Sequence, residues 1–68
     1  MKWQKITLID GYSFLLPFDK AETIKANISR ASHGFINPVQ DAHDMKEKPL
    51  SISVMIQSIC RFEPYEAK

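Results

Sequence analysis

The sequence predicts an α+β fold: a small antiparallel sheet, built from an N-terminal Asp-Gly hairpin and C-terminal strands, with one helix packed on one face. Three observations predict it. Asp10-Gly11 separates two apolar runs, 3–9 and 12–18. Asp19 opens a stretch with helical apolar spacing. Leu50, Ile52, Val54 and Ile56 alternate with Ser51, Ser53, Met55 and Gln57.

Asp-Gly between apolar runs is the strongest short-range hairpin signal, because a type I′ turn needs φ > 0 at both central residues. Such a two-residue loop sets Ile9 opposite Tyr12, Thr7 opposite Phe14, Lys5 opposite Leu16 and Trp3 opposite Phe18. Side chains alternate across a strand, so these pairs share one face. The other face carries Ile6 with Leu15 and Leu8 with Ser13. Pro17 lacks an N–H and either ends the second strand or marks a sheet edge.

Asp19 is the expected helix N-cap, with Glu22 three residues on as in a capping box and Phe18 as a staple. Ala21, Ile24, Ile28 and Ala31 form one stripe. Gly34 suits a residue just past the helix end, which places the helix at about 20–32. The stripe is narrow and covers one sheet face, not two. A short strand is expected from Phe35 to Val39, limited by Pro38. Residues 40–49 hold five charges and no apolar period, and are expected to be a solvated loop.

The period-2 pattern in β-branched residues after Leu50 reads as strand. A single strand over 50–62 would run about 43 Å, longer than the roughly 28 Å span expected of a domain of this size. It must break, bend or extend past its own domain, and Gln57-Ser58 is the expected break. A helical reading stays open, since Ile52, Ile56 and Ile59 fit i, i+4, i+7. Residues 64–68 read as a frayed tail. The whole chain, residues 1–68, is one domain.

A chain of 68 residues buries only about 60% of its unfolded surface, so a staple or a partner matters to its stability. Cys60 is the only cysteine, which excludes an internal disulfide and fits a reducing compartment. The N-terminus has no apolar h-region, so a cytoplasmic chain is expected. No stretch approaches the ~20 apolar residues of a membrane span. Nine basic residues face eight acidic ones, and the basic ones are scattered. That balance gives no electrostatic reason to bind nucleic acid or an anionic membrane.

His33, His43, Asp41 and Asp44 are the candidate metal ligands, but their spacing matches no closed site and no metal or other cofactor is expected. Cys60 beside a histidine would make a thiol nucleophile. Its neighbours Ile59 and Phe62 point instead to a small buried apolar residue. No serine sits in Gly-x-Ser-x-Gly, and the two glycines exclude a Gly-rich phosphate loop. No catalytic residue is assigned.

Trp3, Tyr12, Phe14 and Phe18 share the expected aromatic face with Lys5. That face is core, protein interface or, least favoured, a base-stacking platform. The expected self-core is Ile6, Leu8, Leu15, Ile24, Ile28, Ile52, Val54, Ile56, Cys60 and Phe62. The expected partner-binding surface is Trp3, Ile9, Tyr12, Phe14, Leu16 and Phe18. The two hairpin faces exchange roles if the aromatic face is the core.

The order of elements resembles short bacteriophage and prophage proteins of uncharacterised role. The matching pieces are Ile6-Thr7-Leu8-Ile9-Asp10-Gly11, Asp19-Lys20-Ala21-Glu22 and Ile52-Ser53-Val54-Met55-Ile56-Gln57-Ser58-Ile59. The charged 40–49 loop and the aromatic face depart from that pattern. The resemblance implies no activity. It favours a small binding protein, one that inhibits a host enzyme or defence complex. The expected function is therefore a non-catalytic interaction module, self-associating as a homodimer or binding a protein partner. The alternative is a nucleic-acid-binding protein using the aromatic hairpin face. A metal-dependent or thiol enzyme is the third reading.

Overall fold

The hairpin forms, in a different register. In the computed structural model, which describes residues 2–31, 33–36 and 38–66, strand β1 (Lys2–Leu8) pairs antiparallel with β2 (Ser13–Pro17). Ile6 lies opposite Phe14, Gln4 opposite Leu16 and Lys5 opposite Leu15. The loop is one residue longer than a type I′ turn. Gly11 N–H donates to the Leu8 carbonyl at 2.9 Å, and Leu8 N–H donates to the Tyr12 carbonyl at 2.8 Å. Gly11 alone in the turn takes positive φ, at 94°. This is the type I turn followed by a left-handed residue that closes three-residue hairpins. Asp10 keeps an ordinary backbone, and its Oδ1 accepts the Tyr12 N–H at 2.9 Å. A one-residue slip moves every side chain of the second strand to the other face. Phe14 and Leu16 thereby join Ile6, while Leu15 joins Trp3.

Helix α1 (Phe18–Ile28) begins directly after Pro17, one residue before the expected cap. Asp19 is therefore inside the first turn and does not cap it; its Oδ1 accepts the Lys20 N–H. Glu22 takes no part in a capping box. It accepts a hydrogen bond from Gln4 Nε2 at 3.3 Å and pairs with Lys25 at 3.7 Å. The helix stops at Ile28, short of the expected end, and gives way to a tight turn in which Arg30 N–H reaches the Asn27 carbonyl. Ala31 is exposed rather than part of the stripe. Ser32 at the expected helix end, Asn37 within the expected strand, and residues 67–68 of the expected tail lie outside the described residues.

Strand β3 (Phe35–Ile36) pairs antiparallel with β4 (Val54–Met55) as a separate two-stranded ribbon. A 3-10 turn over Ile56–Ser58 then breaks the chain where the sequence predicts. Strand β5 (Ile59–Glu66) follows and pairs with β1, giving the order β2-β1-β5. Pro64, Tyr65 and Glu66 are thus strand rather than frayed tail. Gln4 stands opposite Pro64, and a proline is tolerated there because an edge strand has a side that donates to nothing. The register jumps between Thr7–Arg61 and Leu8–Ile59, which leaves Cys60 as the extra residue of a β-bulge. Cys60 is exposed for that reason, not buried.

The core lies between the Ile6–Phe14–Leu16 face, helix α1 at Ala21, and Val39, Ala42 and Val54. Of the expected core, Ile6, Leu15 and Val54 are buried, Leu8, Ile24, Ile52 and Phe62 pack partly exposed against the main cluster, and Ile28 and Ile56 are half-buried outside it. Lys25 places its ammonium 5.2 Å from the Phe62 ring centre, where the ring face attracts a cation.

Residues 40–49, expected to be a solvated loop, are mostly exposed but are pinned to the sheet rather than free of it. Val39 and Ala42 are in the core, and His43 straps the β2 edge. His43 and Leu15 exchange two backbone hydrogen bonds, at 2.7 and 2.8 Å. The His43 ring meets Trp3 edge to face at 4.8 Å. This strap occupies the outer edge of β2 at Leu15, an edge otherwise open to pairing with another chain. Trp3 and Leu15, on the second sheet face, are buried within the one chain. The second face therefore does not require another chain to cover its apolar residues.

Asp44 ties the strap's tip. Its Oδ1 accepts N–H bonds from Lys46 at 2.9 Å and Lys48 at 3.0 Å. The Lys48 N–H bond holds the carboxyl below its ordinary value, assisted by the Lys46 N–H and both ammonium charges, against a smaller opposing effect of burial. A depressed folded pKa contributes stability that is present above the unfolded pKa of about 3.9 and lost as pH falls through the folded value. Melting temperatures of the wild type and Asp44→Asn should therefore differ by a constant amount above about pH 5 and converge below it. A difference that does not change with acidification would contradict the Asp44 tie.

Candidate interaction surface

The turn end of the molecule displays apolar side chains. Ile9, at the hairpin tip, is 77% exposed, Phe35 68% and Met55 40%. Backbone geometry explains why two of these face out. In the β3–β4 ribbon Phe35 stands opposite Met55, and Ile36 opposite Val54. Alternation sends one pair inward, where Val54 is buried, and leaves Phe35 and Met55 on the outer side. Ile9 is tied to the same end through the 3-10 turn. Its N–H donates to the Ser58 carbonyl at 2.7 Å, and Ser58 Oγ donates to the Met55 carbonyl at 2.8 Å. Ile56 N–H reaches the Gly34 carbonyl at 2.9 Å, which anchors the residue before Phe35. Tyr12, also exposed, closes the hairpin tip.

The six residues expected to form one binding face are divided by the observed register. Phe14 and Leu16 are in the main core, and Trp3 is buried on the opposite sheet face beside His43. Ile9 and Tyr12 remain exposed at the hairpin tip. Phe18 is exposed at the start of α1, beyond Pro17 and so at the other end of the hairpin. It borders a shallow hollow of about 140 Å³ with Lys2, Pro64 and Glu66. The continuous aromatic face that base stacking would use does not form. Sequence reasoning missed Phe35 and Met55. The available signal was phase: Met55 is the one large apolar residue among the outward positions of an alternating run that otherwise places Ser51, Ser53 and Gln57 there.

The polar candidates have structural work. His43 Nδ1 carries a hydrogen that it donates to the Asp41 carbonyl at 2.7 Å, since a carbonyl only accepts. Asp41 Oδ2 lies 3.8 Å from the Lys20 ammonium, and Asp44 is engaged with the strap backbone. Among the described residues no three His, Cys, Asp or Glu side chains converge as a metal site. No described helix is long and apolar enough to cross a membrane. A groove of about 220 Å³ between α1 and Ile36, Pro38 and Gln40 has Ile24, Ile36 and Pro38 as its apolar lining.

Comparison with protein families, with characterised proteins and with solved structures finds no match to this chain.

Proposed function

We propose that the protein is a non-catalytic interaction module of the small phage-protein kind that its element order resembles, acting in the cytoplasm. It binds a protein partner through the apolar end formed by Ile9, Phe35 and Met55. The observation that carries this reading is the outward cross-strand pair Phe35–Met55. Single exposed apolar residues are ordinary on any surface. Here they are gathered at one end by a hairpin tip, a ribbon and a 3-10 turn that bond to one another. Aromatic and methionine side chains are also the apolar types enriched at protein interfaces.

The test is capture from a lysate of the source organism by the wild-type chain and by Phe35→Asp. Phe35 is mostly exposed, so the variant should melt within a few degrees of the wild type. The expected result is one or more proteins held by the wild type and lost with Phe35→Asp. Identical capture by both chains, or no specific capture by either, would count against the proposal.

A further inference from the structure

We infer that β5 pairs antiparallel with β5 of a second copy of this chain, across a two-fold axis at Phe62, in a register set by Arg61 and Glu63. This rests on the reading of the protein as an interaction module and adds a partner at a second surface.

Antiparallel pairs alternate between bonded and non-bonded along a ladder. Leu8 bonds to Tyr12 and Ile9 bonds to Ser58. The alternation therefore turns Leu8, Ile6 and Gln4 toward β2, and Thr7, Lys5 and Trp3 toward β5. Leu15 confirms the phase, since it lies opposite Lys5 and bonds outward to His43. On β5, Arg61, Glu63 and Tyr65 stand opposite Thr7, Lys5 and Trp3 and so bond inward. Phe62, Pro64 and Glu66 turn their backbone groups outward. Pro64 fits this phase, because a residue without an N–H costs β1 nothing there.

The two sheet edges are then unequal. The β2 edge is strapped by His43 and ends in Pro17. Among the described residues no segment pairs with the outer edge of β5. A free edge is a template for another strand. The charges on β5 choose which strand. Arg61 and Glu63 lie on one face, 3.6 Å apart and well exposed. With a two-fold axis at Phe62, each Arg61 faces a Glu63 of the other copy, and this happens twice. The same axis sets the half-buried Phe62 opposite its own copy, as a cross-strand aromatic pair on the helix face. Each Phe62 N–H then bonds to the other Phe62 carbonyl. Pro64 supplies a carbonyl without an N–H, and the bulge at Cys60 ends the regular edge. The seam is consequently short and the dimer weak.

Sedimentation equilibrium from micromolar to millimolar chain concentration tests it, on the wild type, Arg61→Glu, Glu63→Arg and the double exchange. Opposite charges across a seam stabilise and like charges destabilise. With two such pairs per dimer, each single variant should weaken association by roughly tenfold or more. The double exchange restores opposite charges and should return the wild-type constant. Glu63→Arg stands beside Lys5, so melting temperatures verify that each variant is folded. Arg61→Glu, opposite Thr7, is the cleaner single. A wild type that stays monomeric overturns the inference. So does a dimer indifferent to Arg61→Glu, or a double exchange that fails to recover. None of these results touches the Phe35–Met55 surface, whose capture experiment stands apart.

Discussion

Phe14→Ala is expected to remove about 3–5 kcal/mol of stability. Phe14 is 1% exposed and is the largest fully buried side chain of the core. It stands opposite Ile6, itself without exposure, and joins Leu16 and Ala21 in the same cluster. Truncation removes the transfer energy of a ring and leaves a cavity that β1, β2 and α1 close only in part. A chain of this length carries roughly 3–10 kcal/mol in total. The variant therefore stands at or near the point of unfolding. A urea titration reads this directly, as a lowered midpoint at constant slope or as a missing native baseline. Stability within about 1 kcal/mol of the wild type would show that Phe14 is not in the core. It would also return the hairpin to the two-residue turn, in which Phe14 and Thr7 share a face. Phe14→Lys, which would have probed a dimer seam in that register, is instead expected to unfold the chain, because it buries an unpaired charge.

That contrast marks where the sequence is informative. The hairpin, the helix and the break at Gln57-Ser58 are legible because each has a local cause: a glycine at a turn, a stripe of spacing, and a strand too long for its domain. The register is not legible from Asp10-Gly11. The same dipeptide serves a two-residue turn, with both residues at positive φ, and a three-residue turn, with only Gly11 there. The choice depends on which face finds cover, and that cover comes from Val39, Ala42 and Val54, far along the chain. The strap is invisible for another reason. Its bonds to Leu15 are made by backbone atoms, which carry no residue identity. Cys60 reads as core because nothing local announces a bulge. At the candidate surface, Ile9 and Tyr12 follow from the turn. Met55 is marked by its phase in the alternating 51–57 run, whereas Phe35 comes from a strand of two residues, too short to show a period.

Gln4→Leu is expected to stabilise the protein by about 1–2 kcal/mol. Gln4 is 2% exposed and lies on the core face of β1. Its Nε2 makes one long bond to Glu22, at 3.3 Å, and its Oε1 has no partner among the described residues. A buried acceptor left unpaired costs about 1–3 kcal/mol, and a long bond to an exposed carboxylate returns less than that. Leucine fills a similar volume without the orphaned oxygen. Glu22 loses nothing essential, since it is exposed and retains Lys25 at 3.7 Å. For a domain of this size the gain should raise the melting temperature by about 4–8 °C per kcal/mol. Gln4→Glu is the opposing control, because it buries a carboxylate beside the Glu22 carboxylate and should lower the melting temperature sharply near neutral pH. Acidification protonates the new group and should narrow that deficit, which separates a charge effect from a packing effect. If Gln4→Leu were destabilising instead, the polar side chain would contribute more to the core than its orphaned oxygen costs, and the expectation would be overturned.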